Sequence, residues 1–144
     1  MKGRRDKMIE KFPLNISDAQ GKRDIFDQLV FQEKESFDFG FYWESFDQVF
    51  DQVTSECAEV KEAFESNARD HLGEEIGDLI HSSISLCILC GFDPRKIVSD
   101  SHYKYQKRFE SLVRLAKEDG HKSLKGQPTS VLLGYWKRAK EEDL

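Results

Sequence analysis

At 144 residues, with 22 basic against 27 acidic side chains and a net charge of -5, the chain has the size of one domain and room for one apolar core. Its acidic balance excludes a protein that coats nucleic acid or adheres to an anionic membrane through charge. No stretch approaches the roughly 20 apolar residues of a bilayer span, and the basic start from Met1 to Lys11 runs into no apolar signal segment, so the expected address is the cytoplasm.

Residues 1–40 read as an N-terminal extension with one helix, in which Ser17 or Asp18 can cap a segment bearing Ile25, Leu29 and Val30. Gly40 marks a bend inside the aromatic run Phe37, Phe39, Phe41, Tyr42 and Trp43. Such a run can stack a nucleobase, but the commoner reading is packing against a core. From Ser45 onward, Phe46, Val49, Phe50, Val53, Cys57, Val60 and Phe64 recur at spacings of three and four, which predicts a helix to about Ser66 with one buried face. Asn67, Ala68 and Arg69 break it. Asp70 then caps a second helix carrying Leu72, Ile76, Leu79, Ile80, Ser83 and Cys87, and Gly91 ends it. So short a connection predicts antiparallel neighbours.

Beyond Asp78 the second helix spreads Ile84, Leu86, Ile88 and Leu89 around its circumference, more apolar surface than a chain of this size can cover, which predicts a dimer. Asp93-Pro94 opens a long third helix through Ile97, Val98, Tyr105, Phe109, Leu112, Val113 and Ala116, and Gly120 closes it. Thr129 caps a short last helix with Leu132, Leu133, Trp136 and Ala139. The expected fold is all-α, an antiparallel bundle of four to five helices that dimerises, with residues 41–144 as its main helical domain. Cys57, Cys87 and Cys90 are odd in number and sit in apolar helical patterns, so they are expected as buried free thiols. The Cys87-x-x-Cys90 pair lies near a helix C-terminus, which does not favour thiolates.

Charge is segregated along the chain. Glu44 to Asp78 holds eleven acidic residues against two basic, and Arg95 to Lys125 nine basic against four acidic. At 100° per residue, Glu56 and Glu59 fall on one shoulder of the first apolar stripe, and Glu75 and Asp78 on the matching shoulder of the second. Counted from the turn at Ala68, the two pairs overlap in height across an antiparallel hairpin. Four carboxylates at one locus repel one another unless a cation joins them. Oxygen-only ligands select a hard ion, Mg2+ or Mn2+. A single Glu-x-x-Glu is ordinarily a solvated helix flank, and only the matched second pair makes a metal the better reading. Lys104 and Arg108, four apart on the third helix, can grip phosphate oxygens, although by themselves they read as a solvated flank with Lys104 paired to Asp100. Trp136 and Lys140 repeat that spacing on the tail, and Trp136 alone reads more readily as a core anchor.

These stretches together resemble the MazG-type nucleoside triphosphate pyrophosphohydrolases over about Gly40 to Lys140, and are most similar to the C-terminal domain of that family's namesake. The likeness is carried, in order, by Gly40-Phe41-x-Trp43, Glu56-x-x-Glu59-Val60, Glu74-Glu75-Ile76-Gly77-Asp78-Leu79, Leu89-x-Gly91, Lys104-Tyr105-x-Lys107-Arg108-Phe109 and Trp136-x-x-x-Lys140. It implies a Mg2+-dependent hydrolase that cleaves the α,β phosphoanhydride of a nucleoside triphosphate, works as a homodimer or dimer of dimers, and has its catalytic domain over residues 41–144. By the same resemblance Glu56, Glu59, Glu75 and Asp78 are the catalytic metal ligands, Lys104 and Arg108 phosphate contacts, and Trp136 and Lys140 nucleotide contacts. The family carries Asn two residues before its third-helix lysine, where this chain has His102. A non-catalytic or weakly active nucleotide-binding dimer is the alternative. A ferritin-like di-metal oxidase is a poor third, since only Asp78-x-x-His81 approaches its ligand pattern.

Overall fold

A computed structural model describes residues 11–15 and 24–143. Five helices follow one another as α1 (Ile25–Phe39), α2 (Phe46–Glu65), α3 (Arg69–Leu89), α4 (Pro94–Glu118) and α5 (Thr129–Glu141), with no strand among the described residues. The all-α expectation therefore holds. Two compact units divide the chain, residues 1–97 and 98–144, the division falling inside α4. No single described helix is long and apolar enough to cross a membrane.

In the first unit α1 is capped by Asp24, whose carboxylate accepts the Asp27 backbone N–H at 3.0 Å. The expected caps, Ser17 and Asp18, lie outside the described residues. Arg95 reaches back to Asp24 at 2.5 Å and Asp27 at 2.7 Å, so the start of α4 ties down the start of α1. Gly40 ends α1 in the left-handed region, φ 99°, with its N–H and that of Phe41 returning to the carbonyls of Phe37 and Ser36. Glycine adopts that conformation without the Cβ penalty, and the chain turns there as expected. Ser45 caps α2 by accepting the Gln48 N–H, while the Gln48 side chain accepts the Glu44 N–H at 2.8 Å, a reciprocal clasp close to a capping box.

Two expected caps are displaced. The Leu72 N–H bonds the Ala68 carbonyl at 2.8 Å, so α3 begins before Asp70, and Asp70 contributes its charge inside the first turn instead of capping. Likewise Pro128 precedes α5 in an extended conformation and Thr129 is already its first residue. Between α2 and α3 the chain turns through Asn67, at φ 61°, and the two helices pack along one another as a hairpin.

The buried seam of α2 is narrower than its apolar stripe predicts. Val49, Glu56 and Ala63 are buried, seven residues apart, whereas Phe46, Phe50 and Phe64 stay 37%, 50% and 70% exposed. A repeat of seven is the contact line that one straight neighbouring helix can cover. On α3 the buried residues are Ser82, Ser85 and Ile88. Cys57 and Cys90 are exposed free thiols, against the expectation of burial, because both lie off these seams. Cys87 is half-buried, and burial followed by the nearby Cys90 and Asp93 pushes its thiol pKa up.

The second unit gathers Leu115, Ala116 and Tyr135 around a small core with Leu112, Leu124 and Val131. The Tyr135 hydroxyl donates to Asp119 at 2.8 Å, and Arg138 meets the same oxygen at 2.8 Å. Arg114 bridges Glu118 and Glu142, and Arg108 pairs with Asp143.

Candidate metal centre

The fold places a carboxylate, Glu56, on the buried seam between Val49 and Ala63. It is 8% exposed. One of its oxygens is satisfied: the Gln52 amide, one turn earlier, donates to Oε1 at 2.6 Å. The other, Oε2, is buried and has no hydrogen-bond partner. An orphaned buried carboxylate oxygen costs more than the hydrogen bond it lacks, so it marks a place where a ligand completes the structure.

Across the hairpin, Glu75 and Asp78 on α3 bring carboxylate oxygens to within 4.8 Å of one another and of Glu56. Glu75 is further held by His71 at 3.3 Å. Glu59 stands outside this trio but feels it. The proximity and charge of the Glu56 carboxylate come first, then burial, then the charges of Glu75 and Asp78, and together they hold its carboxyl above the usual range. Converging carboxylates with an unfilled oxygen fit a hard divalent cation, which takes oxygen ligands and removes the repulsion. The four acids grouped by the helical wheel are therefore neighbours in the structure.

Beside them lies a cavity of about 360 Å³, within the range of small-molecule sites. Its walls are Gln32, Glu33 and Ser36 of α1, the turn residues Phe41, Tyr42 and Trp43, then Val49, Gln52 and Glu56 of α2, and Asp78, His81, Ser82 and Ser85 of α3. The aromatic run does not serve mainly as core. Phe37 packs on Tyr42 and Phe12, but Phe39, in the last turn of α1, is 90% exposed and Phe41, just beyond the left-handed Gly40, is 79% exposed. Gln52 escaped the sequence reading although its i, i+4 spacing from Glu56 signals the contact. Glu33 gave no such signal, since its partner Ser85 lies fifty-two residues away.

Lys104, Arg108, Trp136 and Lys140 belong to the second unit. Lys104 and Lys140 are exposed, as is His102. Arg108 is half-buried and its Nε is held by Asp143 at 2.5 Å. Trp136 packs tilted on Tyr105, ring centroids 5.3 Å apart.

Residues 44–113 match the family model described as the MazG nucleotide pyrophosphohydrolase domain. The chain carries a MazG domain. This MazG segment contains α2, α3 and most of α4, hence all four carboxylates with Lys104 and Arg108, while α1, the aromatic turn and α5 lie outside it. The chain is also 32% identical over 104 residues to the nucleoside triphosphate pyrophosphohydrolase/pyrophosphatase MazG of Thermotoga maritima. That likeness covers 72% of this chain but 39% of the length of that curated relative.

Proposed function

We propose that this MazG protein hydrolyses a nucleoside triphosphate at its α,β phosphoanhydride, giving the monophosphate and pyrophosphate, with Mg2+ as cofactor and Mn2+ as the alternative ion. The observation that carries this reading is the buried, unpartnered Oε2 of Glu56, within reach of Glu75 and Asp78 and bordering a nucleotide-compatible cavity. When bound, a divalent ion supplies charge neutralisation and Lewis acidity to the phosphate chain.

The chain's own residues do the rest. Glu56, Glu75 and Asp78 hold the cation, with Glu59 at the rim of the same cluster. Gln52 fixes the Glu56 rotamer so that Oε2 is the oxygen left for the ion. Glu59, whose carboxyl binds protons more readily than an ordinary glutamate, positions the water that attacks the α-phosphorus. Lys104 and Arg108 neutralise charge on the phosphates, and Trp136 and Lys140 contact the nucleotide, roles that rest on the family resemblance. In this reading α1 of the 1–40 extension supplies one wall of the cavity to a catalytic domain over 41–144. Exposed Phe46, Phe50, Ile76 and Ile80 support a homodimer or dimer of dimers, and a nucleotide substrate with free thiols supports a cytoplasmic address.

The deciding experiment is a panel of nucleoside tri- and diphosphates incubated with Mg2+ or Mn2+ and scored for pyrophosphate against phosphate release. Pyrophosphate is expected, and phosphate alone overturns α,β cleavage. His102, at the family's Asn position, favours a second reading, a nucleotide-binding dimer without catalysis. Saturable nucleotide binding with no product would select it.

A further inference from the structure

We propose that Glu33, oriented by Ser85, reads the base in the cavity and selects nucleotides whose base presents hydrogen-bond donors, guanine above the others. This rests on the reading of the cavity as a nucleotide site and goes beyond it to the substrate class.

Glu33 lines the same cavity as Glu56 and Asp78 but is not one of the converging metal-binding carboxylates. It is half-buried on α1, and the buried Ser85 hydroxyl donates to its Oε1. Asp78, Ser82 and Ser85 follow one another at i, i+4 and i+7, on one face of α3. Seven residues at about 1.5 Å each separate the Asp78 end from the Ser85 end by about 10 Å along the axis. That is the scale of a nucleoside, so a phosphate drawn to the cation end carries its base towards Glu33. Phe41 and Trp43 line the cavity and supply ring faces for that base.

An ionised carboxylate only accepts hydrogen bonds. Ser85 spends its single proton on Glu33 and leaves the carboxylate fixed as an acceptor pair. Guanine meets it with two adjacent donors, N1–H and the N2 amino group. Cytosine and adenine each offer one amino donor beside an acceptor nitrogen. Uracil and thymine flank their one N–H with carbonyl oxygens, which the carboxylate repels. Gln32 and Gln52, also in the wall, carry both donor and acceptor and can turn to suit either kind of edge. Glu33 cannot, and so it sets the preference.

The test uses the full chain without metal and uncharged nucleosides, so that neither phosphate repulsion nor hydrolysis enters. Guanosine, adenosine, cytidine and uridine are titrated by two-dimensional NMR, following Trp43 and Ser85. Guanosine is expected to bind about 10-fold or more tightly than uridine, as one bidentate base contact can supply. In Glu33→Gln that gap closes to about twofold, and Ser85→Ala closes it in part. Should Glu33→Gln melt, Glu33→Asp, which withdraws the carboxylate by one methylene, must show the same narrowing. Equal affinities in the parent, or an unchanged preference in a folded Glu33 variant, overturn the proposal. Because nucleosides contain no anhydride, that failure leaves hydrolysis standing, and a chain that binds guanosine but releases no pyrophosphate sinks only the hydrolysis reading.

Discussion

The arginine-paired acids of the second unit and the carboxylate cluster of the first are handled in opposite ways, although Arg95 also pairs with Asp24 and Asp27 in the first unit. In the second, Asp119, Glu118, Glu142 and Asp143 each meet an arginine, and the carboxyls of Asp119 and Glu142 are held below the usual range, each first by hydrogen bonds from its arginine. In the first, Glu56, Glu59, Glu75 and Asp78 converge with a glutamine and a histidine for company, and Glu59 is pushed the other way. Folded chains ordinarily pair such groups, since like charges at short range oppose folding. The second unit shows that this sequence can pair acids with bases where structure alone is at stake. The unpaired cluster is then a place where the cation comes from outside.

The sharpest way to break this contrast is to remove the cluster's charge. Asp78→Ala and Glu59→Ala are each expected to lower nucleotide turnover by about 100-fold or more at saturating Mg2+, the scale on which a metal-dependent site depends on its supports. Turnover at the parent rate would sink the metal reading. A gentler cut tests the shell behind the ligands. Gln52→Met keeps the side-chain volume but removes the donor to Glu56 Oε1, and should weaken Mn2+ binding about 10-fold, read by calorimetric titration. Parent-like Mn2+ affinity in a folded Gln52→Met would show that Glu56 needs no clamp.

Much of this contrast was legible in the sequence. Period located α2 and the glycine itself the turn at Gly40, and the wheel brought Glu56, Glu59, Glu75 and Asp78 together because an antiparallel hairpin leaves little freedom of register. The seam was misjudged because hydrophobicity marks a wide stripe, whereas one neighbouring helix covers only a heptad line. Glu56 lies on that line and the more apolar Phe50 and Phe64 do not. Caps at Asp70 and Thr129 failed by one or two residues, since an N-cap competes with any upstream carbonyl able to start the helix. Glu33 was unreadable, as its meaning comes from Ser85 on a different helix. The pairs Arg108–Asp143, Arg114–Glu142 and Arg138–Asp119 were hidden because their partners are distant in sequence, whereas Arg114–Glu118 is an ordinary i, i+4 pair. Arg108 reads as a phosphate grip, and nothing in its spacing announces the Asp143 that stands beside it.

The smallest expected effect tests the paired side. Asp119 has its carboxyl lowered from the ordinary 3.8 by Arg138 and by the Tyr135 hydroxyl, with burial acting against them. A depressed folded pKa means that the unfolded chain takes up the proton first as pH falls. The stabilisation is therefore complete above the ordinary value and disappears as pH drops through the lowered one. Both partners are well exposed, so solvent screening keeps the effect modest. Thermal melts of the full chain from about pH 5 downward should show a loss of stability in the parent that is shallower in Asp119→Asn, with the two curves converging at the acid end. Parallel curves over the whole range would mean that the Arg138 pair contributes nothing to folding. The second unit's tidy pairing would then be surface decoration, and it could no longer serve as the standard against which the unpaired acids of the first unit stand out.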